Sequence, residues 1–315
     1  MPALPVPRSI GPLSLCDDGQ TGGSRAEQAS RVALRDLATP TATVLDFLSA
    51  YFPRVSDWSS RVERGLVRTE GGALVDAATP YRAGLVVLYY REVSNEPPVP
   101  FDAKILYQDA NLLVADKPPF LPVVPAGKYV RETLLARIQR DTGLESLVPL
   151  HRLDRETAGL VLFAVNPAAR GMLHGLFSSG RITKVYEAVA ASVSEPHERT
   201  WHVENRIERG EPFCRMRITE GPPNACSDIR LLAQRDGRAR FEIRPKTGKT
   251  HQIRLHLASI GFPILHDRFY PVLEPEAPPD FARPLQLVAR RLEFVDPITG
   301  ASRTFETEQK LAFAF

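Results

Sequence analysis

The stretch PLHRLDRETAGLVLFAV, residues 149–165, places a cluster of charged and titratable side chains directly before an apolar run. The letters GLVLFAV contain no polar residue, which is typical of a β-strand that is covered on both faces. Asp154 is therefore predicted to lie in a short loop beside a core strand. The ionisation of Asp154 depends on a nearby cation. Two interpretations are open: Asp154 is a structural residue that caps a turn or forms an ion pair, or it is part of a functional site.

A metal site is a second interpretation of the same stretch, because His151 and Asp154 form an HxxD pair. Two potential ligands without a second cluster of His or Asp rarely bind a metal. His251 and His256 are five positions apart, unlike the one-turn spacing of HExxH. The sequence therefore predicts no metal.

The residues on both sides of this stretch alternate between strand and helix patterns. The strand-like runs are ANLLVADK, AGLVLFAV, KVYEAVAA and RFEIRPK, and the helical runs are RETLLARIQRDTG and NPAARGMLHGLFSSG. The second helical run has Asn166 as a candidate N-cap and Gly180 just past its end. Because the strands occur in clusters, the pattern predicts an α+β fold rather than a doubly wound sheet.

Three segments are predicted along the chain of 315 residues. Residues 1–39 are rich in Pro, Gly, Ser and Ala without periodicity, which indicates an irregular or flexible segment. Residues 40–95 form a small module with two short helices followed by two strand-like runs. The proline-rich SNEPPVP at residues 94–100 indicates a linker, so that residues 100–315 form the second domain.

The charge of the chain is unevenly distributed. The net charge is only +3, yet residues 206–254 contain ten arginines and two lysines against six acidic residues, a local net charge of +6. Such a segment suits a polyanionic ligand, although a run of this kind is more often a solvated surface.

The cysteine content and the hydropathy pattern restrict the class of protein. Cys16, Cys214 and Cys226 are an odd number without CxxC spacing, so neither a disulfide framework nor a thiolate zinc site is predicted. No signal peptide and no membrane span is predicted, and no GxGxxG or P-loop indicates a nucleotide cofactor. A cytoplasmic protein without a cofactor is the expectation.

TGKTHQIRLHLASIG, residues 247–261, is predicted to be a turn followed by a helix that ends at Gly261. Thr250 is a candidate cap for the first turn. Arg254 lies at the edge of the apolar stripe, where its guanidinium either turns inward to a carboxylate or remains at the surface.

ITKVYEAVA, residues 182–190, has the alternation of a strand. If Val185 and Val189 face the core, Tyr186 faces the other side, where it could line a cleft. An aromatic ring with a hydroxyl is a platform for a nucleobase, but a strand tyrosine is usually a packing residue.

HRLDRETAGL, KVYEA and TGKTHQIRLHLASIGFPILHD, in this order, resemble the motifs of the RluA-type pseudouridine synthase family. The resemblance covers roughly Ala103 to Phe294. It implies a catalytic domain with a mixed, mainly antiparallel central sheet flanked by helices. More loosely, Thr41 to Val93 resembles the small alpha-L RNA-binding module often found ahead of that domain.

The resemblance also implies an activity, the isomerisation of uridine in RNA, with no cofactor and no metal. Asp154 aligns with the catalytic aspartate, and Arg254 with the arginine that pairs with it. Tyr186 aligns with the aromatic residue that stacks on the uracil, Arg152 with the arginine that fills the space of the flipped base, and Leu287 with the apolar residue below the base. The expected partner is a stem-loop of ribosomal or transfer RNA, bound by a monomer.

The chain departs from the family pattern at four positions without losing an aligned catalytic group. These are Ala158, Lys249, His266 and Val288. Two other classes remain as alternatives. One is a non-catalytic RNA-binding or RNA-assembly protein on the same scaffold, and the other is a metal-dependent hydrolase that uses His151, Asp154 and His251.

Overall fold

The computed structural model describes most of the chain. The described residues are 24–25, 29–37, 41–53, 55, 57–93, 95–192, 198–212 and 214–311. Most of the segment predicted to be irregular, residues 1–39, lies outside them. The chain divides into two compact units, Met1–Pro97 with Ala126–Arg131, and Pro98–Pro125 with Glu132–Phe315. The division falls inside the predicted linker, whereas no sequence pattern predicts that Ala126–Arg131 belongs with the first unit.

In its described residues, the first unit contains two short helices and small antiparallel sheets. Its elements are β1 (Ser24–Arg25), β2 (Ser30–Ala33), α1 (Val44–Tyr51), α2 (Trp58–Glu63), β3 (Val67–Thr69), β4 (Val86–Tyr89) and β5 (Glu92–Val93). The strands β2, β4 and β3 form a sheet in that order, and β1 pairs with β5. Helix α1 begins with a capping box, in which Thr43 Oγ1 accepts from the Asp46 amide and the Asp46 carboxylate accepts from the Thr43 amide.

The first unit has its own hydrophobic core. Val44, Phe47 and Leu48 of α1 are buried at helical spacing, as their pattern predicts. Trp58 of α2 packs its ring edge-on against Tyr89 of β4 with centroids 4.9 Å apart.

The second unit is built on one large sheet. Its elements are β6 (Lys104–Gln108), β7 (Leu112–Lys117), α3 (Leu134–Thr142), β8 (Val148–Pro149), β9 (Ala158–Ala164), a 3-10 turn (Pro167–Ala169), α4 (Arg170–Ser178), β10 (Ile182–Ala191), β11 (Thr200–Arg209), β12 (Met216–Thr219), β13 (Ala225–Arg235), β14 (Arg238–Pro245), α5 (Gln252–Ser259), β15 (Leu287–Val295) and β16 (Ser302–Glu306). The strand order is β12-β11-β13-β14-β10-β15-β9-β7-β6, with β16 beside β15 and β8 beside β9.

Strand β9 is the apolar run of the opening stretch, and it lies deep in this sheet. All seven of its residues are buried, which confirms the predicted strand with both faces covered. It pairs antiparallel with β7 and parallel with β15, where Gly159 lies opposite Ala289. Every other strand pair among the described residues is antiparallel. The sheet is therefore mixed and mainly antiparallel, as expected.

The helices cover the two halves of the large sheet. Helix α5 packs Ile253 and Leu257 into a core formed with β10, β13 and β14, and α4 packs Leu173 and Leu176 into a core formed with β7 and β9. The predicted cap Asn166 is confirmed, because its side chain accepts from the Ala168 amide at 3.0 Å. Within the described ranges, no helix is long and apolar enough to cross a membrane.

Candidate active site

The loop that carries Asp154 connects β8 to the buried strand β9. His151 anchors the loop, because its Nε2 accepts from the Leu162 amide at 3.1 Å and its ring stacks on Phe177 at 4.6 Å between centroids. Burial, with a smaller contribution from the charge of Lys184, lowers the pKa of His151 to about 3. His151 is thus a neutral structural residue whose Nε2 is already occupied. This placement does not support the alternative interpretation of His151 and Asp154 as a metal-binding pair.

Arg254 lies next to the Asp154 side chain and is 1% exposed. Its Nε and one terminal nitrogen donate to the two carboxylate oxygens of Asp267 at 2.7 and 2.6 Å, and its other terminal nitrogen lies 3.4 Å from Asp154 Oδ2. Burial alone would lower the pKa of Arg254, but the hydrogen bonds and charge of Asp267, with the charge of Asp154, raise it above its ordinary value. The inward orientation of Arg254, one of two predicted alternatives, is the one observed.

Asp267 orients the guanidinium and was not predicted as a site residue. Its side chain is fully buried, and its Oδ1 also accepts from the backbone amides of Phe269 and Tyr270 at 2.8 and 3.2 Å. These amide contacts hold the Asp267 carboxylate in position, independently of its contact with Arg254. The signal was present in the sequence, since Asp267 ends the ILHD of the third motif.

The start of α5 differs from the prediction. Thr250 does not cap the helix; the cap position is His251, in the left-handed region at φ 57° and without a side-chain cap hydrogen bond. The Gln252 side chain instead fixes the turn before the helix, accepting from the Lys249 amide at 3.0 Å and donating to Cys226 O and Ser227 Oγ at 2.9 Å each.

His251 faces the site from this left-handed position. Its Nε2 lies 3.9 Å from Asp154 Oδ2, and its Nδ1 lies 3.0 Å from the Tyr270 hydroxyl. Burial lowers the pKa of His251, although the charge of Asp154 opposes this effect. Asp154 therefore has Arg254 and His251 on one side, while 24% of its own side chain remains exposed.

Lys117 is a second buried cation near the Asp154 loop that sequence reasoning missed. At the end of β7, its ammonium donates to the carbonyl oxygens of Pro118, Leu121 and Arg155 at 2.9, 2.8 and 3.1 Å. Burial lowers its pKa to about 7, although the charges of Glu156 and Asp154 oppose the shift. The bond to Arg155 ties the loop that contains Asp154 to β7.

Tyr186 lies in β10 at a β-bulge relative to β15, between Val185 and Tyr186. The bulge interrupts the predicted simple alternation, and Tyr186 packs partly buried against the core that contains Ala188. Burial and the charge of Asp154 raise the pKa of Tyr186, which places the phenol in the electrostatic field of that carboxylate.

The two remaining predicted residues are differently placed. Arg152 is exposed and has no hydrogen bond or ion pair with another described residue. Leu287 begins β15 and is buried, 3% exposed, in the core against which Tyr186 packs.

Among the described residues, the side chains close enough to share a metal ion are His202, Glu204 and Cys226, none of which belongs to the Asp154 site. The hydrolase alternative, built on His151, Asp154 and His251, is therefore unsupported.

Known proteins are similar in sequence to this chain. The profile of a family described as RNA pseudouridylate synthase matches residues 111–259. An RNA pseudouridine synthase of Synechocystis sp. is 34% identical over 231 residues, which cover 72% of this chain and 79% of that protein. The dual-specificity RNA pseudouridine synthase RluA of Haemophilus influenzae is 32% identical over 226 residues, which cover 69% and 97% respectively. The chain belongs to the RluA-type RNA pseudouridine synthases.

This RluA-type synthase is therefore an enzyme that isomerises uridine in RNA. Its fold is shared with human RNA pseudouridylate synthase domain containing 1, at a TM-score of 0.54 and 23% identity over 68% of this chain and 86% of that one. The matched segment 111–259 holds Asp154, Tyr186 and Arg254, whereas Asp267 and Leu287 lie beyond it.

Proposed function

We propose that this synthase converts a specific uridine of ribosomal or transfer RNA into pseudouridine, with Asp154 as its catalytic carboxylate. The supporting observation is the pairing of Asp154 with Arg254. Because Asp267 occupies two nitrogens of the buried guanidinium, the remaining terminal nitrogen is directed at Asp154. A fixed cation keeps the carboxylate ionised and oriented while one side of it stays open to a substrate.

The reaction is an isomerisation without a change of redox level. The bond between N1 of uracil and C1′ of the ribose breaks, and the uracil turns within the site. A bond then forms between C5 and C1′, the C5 proton leaves, and N1 gains a proton. Asp154 either attacks C1′ as a nucleophile or abstracts a sugar proton as a base, and both roles require the ionised form.

The surrounding residues supply the binding surface in this proposal. A uridine in folded RNA must leave its stack, at a cost of a few kcal/mol that is lowest in loops. Tyr186 stacks on the flipped uracil, with the buried Leu287 in the core below it. Arg152, exposed and unpaired among the described residues, enters the space that the base leaves.

The choice of RNA follows from the family resemblance, since members act on ribosomal and transfer RNA. A cytoplasmic location is part of the same proposal. Comparing the pseudouridines of cellular RNA with and without this protein would identify the modified uridine.

The central test removes the charge of Asp154 without changing its size. Asp154→Asn is expected to lower pseudouridine formation in bulk cellular RNA by at least about 100-fold, as loss of a positioned acid–base group or nucleophile does. Asp141→Asn is the matched control, because Asp141 is an exposed aspartate of α3. The readout is pseudouridine measured by nucleoside mass spectrometry.

Two results would contradict the proposal. Equal turnover by Asp154→Asn and the wild type would remove Asp154 from the chemistry. RNA binding by the wild type without any pseudouridine would favour the alternative of a non-catalytic RNA-binding protein.

A further inference from the structure

Two adjacent strands outside the Asp154 site carry a group of metal-binding side chains. In the antiparallel pair of β11 and β13, His202 lies opposite Asp228 and Glu204 lies opposite Cys226. Residues two apart on a strand share a face, so all four side chains project from the same side of the sheet. No spacing in the sequence predicts this group, since Glu204 and Cys226 are 22 positions apart and only the strand register joins them.

The distances within the group suit a small tetrahedral ion. His202 Nε2 lies 3.4 Å from Glu204 Oε1 and 3.8 Å from Cys226 Sγ, and the three ligand atoms all lie within 4.8 Å of one another. Zinc bonds of about 2.0–2.3 Å at tetrahedral angles place ligand atoms roughly 3.3–3.8 Å apart. The two separations from His202 Nε2 therefore already match edges of such a tetrahedron, and the Glu204 and Cys226 ligand atoms lie within 4.8 Å of each other.

Asp228 sets the orientation and tautomer of the histidine. Its Oδ1 lies 2.7 Å from His202 Nδ1, and since a carboxylate only accepts, Nδ1 carries a proton and Nε2 is the ring nitrogen left to bind a metal. The neighbouring carboxylates of Asp228 and Glu204 raise the pKa of His202, so an ion that binds Nε2 displaces the proton held there. Carboxylates in this position are the usual outer partners of zinc-bound histidines. Asp228 is itself held through its other oxygen by Lys246 Nζ at 2.9 Å.

We propose that His202, Glu204 and Cys226 bind one Zn²⁺, with water as the fourth ligand. The Cys226 thiol releases its proton to solvent when the sulfur binds the metal. The charges of Zn²⁺, Glu204, the thiolate, Asp228 and Lys246 then sum to zero. A thiolate and an imidazole select zinc over magnesium or calcium, which take oxygen ligands.

The backbone of the site is fixed, and its ligands are accessible. The Cys226 amide donates to Thr247 Oγ1 at 2.9 Å, and its carbonyl oxygen accepts from the Gln252 side chain at 2.9 Å. The His202 and Glu204 side chains are 59% and 52% exposed, so a hydrated ion reaches them directly.

The test is a Co²⁺ titration of the full, untagged chain, followed by competition with Zn²⁺. Co²⁺ bound to a cysteine thiolate produces near-ultraviolet charge-transfer absorption, which reports the ligand without any measurement of activity. We expect one equivalent of Co²⁺ to produce this absorption and one equivalent of Zn²⁺ to remove it. Cys226→Ser is expected to abolish it, and Asp228→Ala to weaken Zn²⁺ binding about 10- to 100-fold.

Matched variants separate the site from unspecific binding. Cys16→Ser/Cys214→Ser and His174→Ala should keep the absorption, because Cys214 and His174 are exposed residues outside the group. If Cys226→Ser does not fold by circular dichroism, His202→Ala provides the same test. Absence of the absorption in the wild type, or its persistence in folded Cys226→Ser or His202→Ala, overturns the proposal.

Discussion

Arg254 shows what a residue type and a spacing can predict and what they cannot. The helical pattern places Arg254 beside the buried stripe, and the motif aligns it with a carboxylate partner. Two such partners are observed, and the stronger contacts go to Asp267 rather than Asp154. The pattern around Asp154 cannot reveal a partner 100 residues away, because only the fold brings the two side chains together.

Replacing Arg254 with methionine should be costly for stability. Arg254→Met leaves the buried Asp267 carboxylate without its cation, and we expect the free energy of unfolding to fall by about 3–5 kcal/mol. Arg291→Met, which removes a partly exposed ion pair with Glu293, should cost less than about 1 kcal/mol. Urea denaturation measures both.

The double variant Arg254→Met/Asp267→Leu distinguishes an unpaired charge from lost packing. It should recover much of the stability lost in Arg254→Met, since no buried charge remains. A double variant less stable than Arg254→Met would show that the ion pair is not the source of the loss.

Because His151 is buried in its neutral form, we expect the stability of the protein to depend on pH. Its pKa is about 3 in the folded chain and about 6.5 in an unfolded one. Between these values the unfolded chain binds a proton that the folded chain does not, so the free energy of unfolding falls as the pH decreases. The expected loss from this residue is about 2 kcal/mol between pH 8 and pH 5.

A His151→Gln variant isolates this contribution, because glutamine offers an acceptor to the Leu162 amide but does not titrate. Its unfolding free energy, measured by urea denaturation across the same pH range, should fall less steeply than that of the wild type. Parallel curves for the two proteins would assign the acid sensitivity to other groups.

At the scale of the elements, the sequence pattern predicts helices, strands and caps correctly where the residues that determine them are neighbours in the chain. The apolar run of β9 and the caps of α1 and of the 3-10 turn before α4 follow from local chemistry. The start of α5 does not, because His251 adopts a left-handed conformation and Gln252 bonds to a distant strand. The bulge at Tyr186 also depends on a partner strand, which the local alternation does not specify.

Gly159 is the point where β9 meets β15, and it should not tolerate a side chain. Its φ is +111°, and a Cβ there would lie 2.3 Å from the Ala289 carbonyl oxygen. We expect Gly159→Ala to lower the free energy of unfolding by at least about 3 kcal/mol, from backbone strain and the clash together.

Gly171→Ala is the control, since Gly171 lies in α4 and a Cβ there would contact nothing within 4 Å. Alanine favours helix, so this variant should be as stable as the wild type or slightly more stable. Equal thermal midpoints for the two variants would argue against a tight β9–β15 pairing.

At the scale of the whole molecule, the uneven charge noted in the sequence becomes a surface with defined residues. Much of the basic segment is neutralised by neighbours, as in the pairs of Arg230 and Arg244 with Glu242. Arg209, Arg217 and Lys249 are exposed and have no such partner among the described residues. Composition gives the net charge, but only the register of the strands shows which cations remain available for phosphates.

These three cations predict the salt dependence of RNA binding. Each phosphate contact contributes about one to the slope of log affinity against log salt, so replacing all three with glutamine should lower the slope by about 2–3. Lys104→Gln, an exposed residue of the opposite edge strand β6, should leave it unchanged. Fluorescence anisotropy with a stem-loop RNA that carries the target uridine measures the slope. Identical slopes for the wild type and the triple variant would show that the RNA does not contact these three cations.

The parallel pairing of β9 with β15 also affects how the enzyme is made. Ala158 and Gly159 find their partners Val288 and Ala289 about 130 residues later in the chain. During translation the strand behind Asp154 therefore emerges long before its neighbour, and contacts of such long sequence separation form slowly. A nascent chain that ends before β15 leaves one edge of this apolar strand unpaired, so this edge is open to intermolecular pairing until β15 has been synthesised.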